Sequence, residues 1–133
     1  MKEILFRAKR TDNGEWLQGY IIVVEKDEPY IIPSKSWAHA QRNSHSIYSS
    51  NFYGVDPETV GQYTGLKDKN GTKIFEGDIV LTMNDDIAII QYDEEDAMYY
   101  LNDDNVLTNF GIVSAKWIEV VGNIHDKGGE DDE

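Results

Sequence analysis

Apolar and polar positions alternate with a period of two through most of this chain. Ile4, Phe6 and Ala8 interleave with Leu5, Arg7 and Lys9, the spacing of a β-strand with one face turned inward. Thr11-Asp12-Asn13-Gly14 follows; Asn and Gly tolerate positive φ, so this run predicts a turn. From Trp16 to Val24 the pattern resumes. Trp16, Gln18, Tyr20, Ile22 and Val24 share one face, and Leu17, Gly19, Ile21 and Val23 the other. Together these segments predict an N-terminal β-hairpin, closed by Lys26-Asp27-Glu28-Pro29, with Tyr30 to Ile32 as a returning third strand.

The alternation lapses between Pro33 and Asn51. That stretch is rich in serine and holds Trp37, His39, Arg42 and His45. It predicts a long irregular loop, and loops of such length are mobile or functional. Phe52 to Val55 predicts a short strand. Asp56-Pro57 has the look of a helix start, with Asp as cap and Pro at the first position. The β-type residues and Gly61 that follow limit it to a single turn before an extended segment.

The second half is a series of short strands broken by polar turns. Lys69-Asn70-Gly71 joins two of them. Ile79 to Met83, Ile87 to Tyr92, Met98 to Leu101, Val106-Leu107 and Ala115 to Val121 follow, separated by Asn84-Asp85-Asp86, Asp93 to Asp96 and Asn102 to Asn105. Nowhere does a helical spacing of apolar residues persist over the roughly 11 residues that define one; Phe110 to Trp117 leaves room for a single turn at most. Strands at about 8–12-residue spacing point to an all-β fold, a sandwich or barrel. The reading is an N-terminal hairpin or small sheet over 1–59, an SH3-like small barrel over 60–125, and a disordered acidic tail over 126–133. Glu76-Gly77-Asp78 is the tight entry to the barrel, with Gly77 at an unusual φ and Asp78 capping the turn through its carboxylate.

Charge adds an asymmetry. The chain has 133 residues, 12 basic and 25 acidic, for a net charge of −13. Residues 1–75 hold 10 of the basic and 9 of the acidic side chains, whereas residues 76–133 hold 2 and 16. An anionic second half repels phosphates, so nucleic acid is an unlikely ligand there. The acids either serve solubility or dock on a basic partner. No apolar run reaches the roughly 20 residues of a membrane helix, and Met1 to Arg10 lacks the apolar core of a signal peptide; the chain is expected to be cytoplasmic.

The chemistry that can be searched for by motif is absent. There is no cysteine, hence no disulfide, thiolate nucleophile or Cys-based zinc site. His39, His45 and His125 are scattered. No phosphate-cradling glycine loop or nucleophile elbow occurs. Asp93 to Asp96 and Asn102 to Asn105 lack the ligand spacing that wraps a loop around Ca²⁺. Glu76 and Asp78 form a carboxylate pair, but they flank a turn glycine, which favours a capping role. No catalytic residue, cofactor or metal is expected.

Thr64-Gly65-Leu66-Lys67-Asp68-Lys69-Asn70-Gly71, followed by Ile74-Phe75-Glu76-Gly77-Asp78-Ile79-Val80, resembles the YopX protein family, small proteins of phages and prophages in Gram-positive bacteria. Phe6 to Lys9 with Gly14-Glu15-Trp16, Val60 to Tyr63, and Ile118 to Ile124 are similar to the family's other characteristic stretches. The resemblance implies an all-β chain with an SH3-like barrel in its C-terminal part and a phage context. It implies no activity, substrate or cofactor. Turn chemistry alone accounts for the central motif: Gly65, Gly71 and Gly77 are turn glycines and Asp68 a turn cap.

The expected function is that of a non-enzymatic phage accessory protein that binds another protein or itself. Candidate contact residues are Trp37, Tyr99 and Tyr100, with Asp85, Asp86, Asp93, Glu94, Glu95 and Asp96; Tyr48, Phe52 and Tyr53 are further aromatic candidates. One alternative is an acidic decoy that occupies a host nucleic-acid-binding protein. A second is a barrel that binds nucleic acid through Arg7, Lys9, Arg10, Lys35 and Arg42.

Overall fold

The computed structural model describes residues 3–34, 52–110 and 115–126. The chain forms two compact units, Met1–Gln62 and Tyr63–Glu133. The fold is all-β, as the alternation predicts. Among the described residues every strand pair is antiparallel.

In the first unit, β1 (Phe6–Lys9), β2 (Trp16–Glu25), β3 (Glu28–Pro33) and β4 (Tyr53–Gly54) pair in the order β4-β3-β2-β1. β5 (Gly61–Lys67) begins here, where Gly61 and Gln62 pair with Arg7 and Phe6. The expected turn at Lys26 to Pro29 is shorter than its four residues. Asp27 takes φ 67°, Glu25 pairs with Glu28, and Pro29 is already part of β3. The register puts Ala8 beside Leu17 and Ile21 beside Ile31. With Val55, the buried Ala8, Leu17 and Ile31 make this unit's core, flanked by Ile21, Tyr53 and Val60.

Gly19 lies in β2 between Phe6 and Pro33. A Cβ built there falls 1.9 Å from the Ile32 carbonyl oxygen, so glycine is required by the closeness of the neighbouring backbone. The predicted single turn at Pro57 is present. Asp56 caps it by accepting the Glu58 N–H at 3.0 Å. Thr59 ties the turn to β1, its Oγ1 accepting the Lys9 N–H at 2.9 Å.

The second unit contains the rest of β5 paired with β6 (Lys73–Phe75). It also holds a five-stranded sheet of β7 (Asp78–Leu81), β8 (Ile87–Asp93), β9 (Met98–Asp103), β10 (Val106–Asn109) and β11 (Glu119–Asn123), in the order β10-β9-β8-β7-β11. The expected strand Ala115 to Val121 is displaced. Ala115–Trp117 is a turn, with Ala115 and Ile118 buried, and β11 starts only at Glu119. The segment buries Ala115 and Ile118, three residues apart, and leaves Lys116 and Trp117 exposed, the spacing of a turn rather than of a strand. The expectation of a barrel needs the same correction. Among the described residues the ladder is not closed, since β10 pairs only with β9 and β11 only with β7. All four residues of β10 are exposed, so the strand has no buried face with which to seal a barrel.

Two aspartates organise this unit. Glu76-Gly77-Asp78 is the tight entry that the sequence predicts: Gly77 has φ 92°, and the buried Asp78 carboxylate accepts the Phe75 N–H at 2.8 Å. Asp68 accepts three backbone N–H groups. Its Oδ1 takes those of Asn70 and Thr72 at 2.8 and 2.9 Å, and its Oδ2 takes that of Val120 at 2.9 Å. It thus caps the β5–β6 turn and fastens that turn to β11. Burial by itself would raise the Asp68 pKa; the three N–H donors and the Lys69 charge outweigh it and hold the carboxyl below its ordinary value. The core above is Ile74, Val80, Ala88, Ile90, Leu101, Ala115 and Ile118.

Asp68→Ala leaves three N–H groups without their acceptor and lowers stability at pH 7 by about 2–4 kcal/mol in urea unfolding. Because the folded pKa is depressed, the contribution of Asp68 is present above the unfolded value of about 3.9 and is lost as the pH falls through the folded one. The urea midpoint of the Asp68→Asn variant is therefore less sensitive to pH below about 4 than that of the native chain. Gly19→Ala forces β2 and β3 apart and costs about 3 kcal/mol or more, read as a lowered thermal midpoint; an unchanged midpoint contradicts the close approach at Ile32.

Candidate functional site

The faces of the five-stranded sheet follow from its register. Asp78, Ile90, Leu101 and Thr108 lie in one row across the core side, and Val120, Val80 and Ala88 in the next. Ile89 pairs with Asn102 and Val106 with Asp103, so Asp103 and Val106 extend that second row. Asp103 is therefore a carboxylate on the core-facing side of a sheet that is otherwise apolar in its row. It stands where β9 turns into β10, at the edge of the core.

Beside it is a cleft of about 410 Å³, with Ala88, Leu101 and Ile118 as its buried apolar lining and Met83, Asp86, Asp103 and Trp117 among its other lining residues. Three elements place these side chains. The β7–β8 turn brings Met83 and Asp86, and is shaped by Thr82, whose Oγ1 accepts the Asn84 and Asp86 N–H groups at 3.3 and 3.2 Å. The Asp104-Asn105 turn, both residues at positive φ, sets Asp103 against β10. The Ala115–Trp117 turn buries Ala115 and Ile118 and so turns Trp117 outward. Trp117 is 55% exposed and Met83 68%. Singly exposed apolar side chains are ordinary on a protein surface; these two stand together at one cleft.

The residues singled out from the sequence are not assembled into one site. Trp37 and Tyr48 lie outside the described residues, as do 35–51 of the expected loop and 127–133 of the expected tail; Pro33, the first residue of that loop, belongs to β3 instead. Tyr99 and Tyr100 are successive residues of β9 and face opposite sides of the sheet. Tyr99 packs against the core and stacks obliquely on Tyr92, ring centres 4.9 Å apart. Burial, aided by the Glu76 and Tyr92 charges, pushes its phenol up to about 12. Tyr100 sits half-buried on the outer side, paired with Gln91 and Asn109.

Asp85 and Asp86 sit at one end of β8 and Asp93, Glu94, Glu95 and Asp96 at the other, about 20 Å apart at roughly 3.3 Å per residue. Asp93 caps its turn, accepting the Glu95 N–H at 3.0 Å. Only Asp86 of this set lines the cleft. Phe52 is exposed and meets Tyr30 edge-on at 5.3 Å; Tyr53 lies under the Arg10 guanidinium at 4.3 Å.

The basic residues of the first unit are likewise engaged. Arg7 and Lys9 lie 5.0 and 5.4 Å from the Trp16 ring centre, and Arg10 pairs with Asp12 through two hydrogen bonds of 2.9 and 2.6 Å. Lys35 and Arg42 are outside the described residues. Among the described residues no group of three or more His, Asp or Glu side chains is arranged to hold a metal ion, and no helix is long and apolar enough to cross a membrane.

Trp117, Met83 and Asp103 were missed from the sequence. Trp117 was hidden by the strand reading of its segment. Asp103 had a signal that went unused: in alternation with Leu101 it falls on the apolar side.

The profile of the YopX protein family matches residues 5–129. The chain belongs to this family. The match takes in both units and every element around the cleft. None of the curated proteins matches the chain.

The Tyr99 phenol gives this part of the YopX-family fold a pH signature. The folded state keeps the phenol neutral up to about 12, whereas the unfolded chain ionises it near 10. The stabilisation is complete below about pH 10 and fades as the pH climbs toward 12. The native chain therefore loses more stability between pH 9 and 11.5 than Tyr99→Phe does. Unfolding curves of both at the two pH values check this, and parallel losses contradict it.

Proposed function

We propose that the chain is a non-enzymatic protein-binding module that acts through the cleft between the β7–β8 turn, β9–β10 and the Ala115–Trp117 turn. The observation that supports this most directly is the pair of exposed apolar residues, Met83 and Trp117, over a floor of Ala88, Leu101 and Ile118. An open, apolar floor with a large aromatic at its side suits a side chain from another polypeptide. The volume, about 410 Å³, is at the small end of ligand sites and accommodates one or two side chains.

β10 adds to this reading. Its outer edge pairs with no strand among the described residues, and Val106 and Leu107 are 64% and 61% exposed. An extended peptide added at that edge gains backbone hydrogen bonds, while alternate side chains reach the cleft side. We read the five-stranded sheet as an SH3-like open barrel. The order β10-β9-β8-β7-β11, a meander to which β11 is added beside its first strand, with the Ala115–Trp117 turn just ahead of β11, supports that assignment. The family's phage and prophage setting makes a cytoplasmic accessory protein of a bacterial host the fitting context.

Selection of peptides from a random display library on the immobilised native chain tests this reading. Trp117→Ser, an exposed substitution, keeps the thermal midpoint within a few degrees. Peptides recovered on the native chain are expected to bind Trp117→Ser at least 10-fold more weakly, the loss of a buried aromatic anchor. If no recovered peptide depends on Trp117, the cleft is not the binding site.

A further inference from the structure

We infer that the cleft recognises an arginine side chain of an extended peptide, its guanidinium held between Asp86 and Asp103 and stacked on Trp117. This rests on the protein-binding reading above and specifies the partner's chemistry. The argument begins with what lines the cleft. Two carboxylates, Asp86 and Asp103, share a small space with apolar walls, and no Lys or Arg lines it. Among the described residues neither carboxylate is engaged in a side-chain hydrogen bond or ion pair. Like charges beside low-dielectric walls repel one another and focus a negative potential into the space between them.

The surroundings reinforce that potential. Residues 76–133 hold 16 acidic side chains against 2 basic ones, Lys116 and Lys127. A cation is the complement that this cleft lacks.

The remaining lining selects among cations. A metal ion is a poor match: among the described residues no three His, Asp or Glu side chains gather to hold one, and beyond its two carboxylates the lining adds only the Thr82 and Thr108 hydroxyls, the Asn84 carboxamide and apolar groups. A cation on an apolar stem fits better: the stem covers Met83 and Leu101, and the charged head meets the carboxylates. Trp117 favours guanidinium over ammonium. Trp is the best cation–π partner, and the planar, weakly hydrated guanidinium stacks on it while presenting several N–H donors to carboxylates. The open edge of β10 next to the cleft holds the peptide backbone, with Thr108 and Leu101 directly paired beneath it.

The test uses the full ¹⁵N-labelled chain titrated with N-acetyl-arginine methylamide, and separately with the citrulline analogue. Citrulline keeps the shape of arginine and removes its charge. The expected result is a saturable shift of the Trp117 indole and of the Asp86 and Asp103 amides with the arginine compound. The citrulline compound is expected to bind at least 10-fold more weakly. The double variant Asp86→Asn, Asp103→Asn, with its spectrum otherwise preserved, loses the arginine preference, and raised salt weakens binding of the arginine compound to the native chain.

Equal shifts with arginine and citrulline overturn the inference. So does an absence of shifts at the Trp117 indole, or arginine shifts confined to the Asp93 to Asp96 turn. These outcomes are distinct from failure of the protein-binding reading. Library peptides that depend on Trp117 but bind equally with citrulline in place of arginine leave the module standing and remove only the arginine specificity. Absence of any Trp117-dependent peptide removes both.

Discussion

One buried carboxylate, that of Asp68, ties the β5–β6 turn of the second unit to β11. Asp68 gathers the N–H groups of Asn70, Thr72 and Val120, two of them local and the third 52 residues further along the chain. A neutral side chain of the same size lacks the acceptor capacity for all three. The bond to Val120 fixes where β11 begins. That in turn fixes the Ala115–Trp117 turn just before it, and with it the outward position of Trp117. Lys69 adds to the same junction, its N–H reaching the Ile118 carbonyl at 3.1 Å. The wall of the cleft is thus set by a turn cap that has no contact with the cleft.

The elements that local chemistry dictates were legible in the sequence. Asn13-Gly14, Asp56-Pro57, Asn70-Gly71 and Glu76-Gly77-Asp78 each carry their conformation in their residue types, and all four behave as expected. Strand positions along β1, β2, β7, β8 and β9 follow from alternation. What was not legible depends on pairing between distant segments. Ala115 to Val121 has the composition of a strand, and only the bond from Asp68 and the pairing with β7 decide that its first three residues turn instead. Pro29 reads as a turn residue until its partner Val23 is known. The barrel expected from strand count was left open because β10 has no face to bury.

The candidate site shows the same division. Acidic runs are conspicuous in a sequence, and they drew attention to Asp85-Asp86 and Asp93 to Asp96. In the fold these runs form turns: Asp85 takes the left-handed conformation, as Asp27 and Asp104 do elsewhere, and Asp93 caps its own turn. The acid with the more unusual placement is Asp103, which stands alone on the apolar side of its strand. Its placement comes from the face it occupies, which is a property of pairing, and it shares the cleft lining with an indole held by a turn more than ten residues away.

The strand order also bears on how the chain reaches this structure. β7 to β10 is a meander in which each strand pairs with its sequence neighbour, so those hairpins close short loops and form early. β11 must find β7 across the whole meander, and the Val120 N–H must find Asp68 across 52 residues. Long-range closure of that kind comes after the local pairing has restricted the search. The segment that carries Trp117 is therefore among the last parts of the unit to order and among the first to open. Its amides would exchange with solvent ahead of those in β8 and β9, and a partner that seats on the cleft would slow the opening of the entire unit, because it braces the slowest-forming seam.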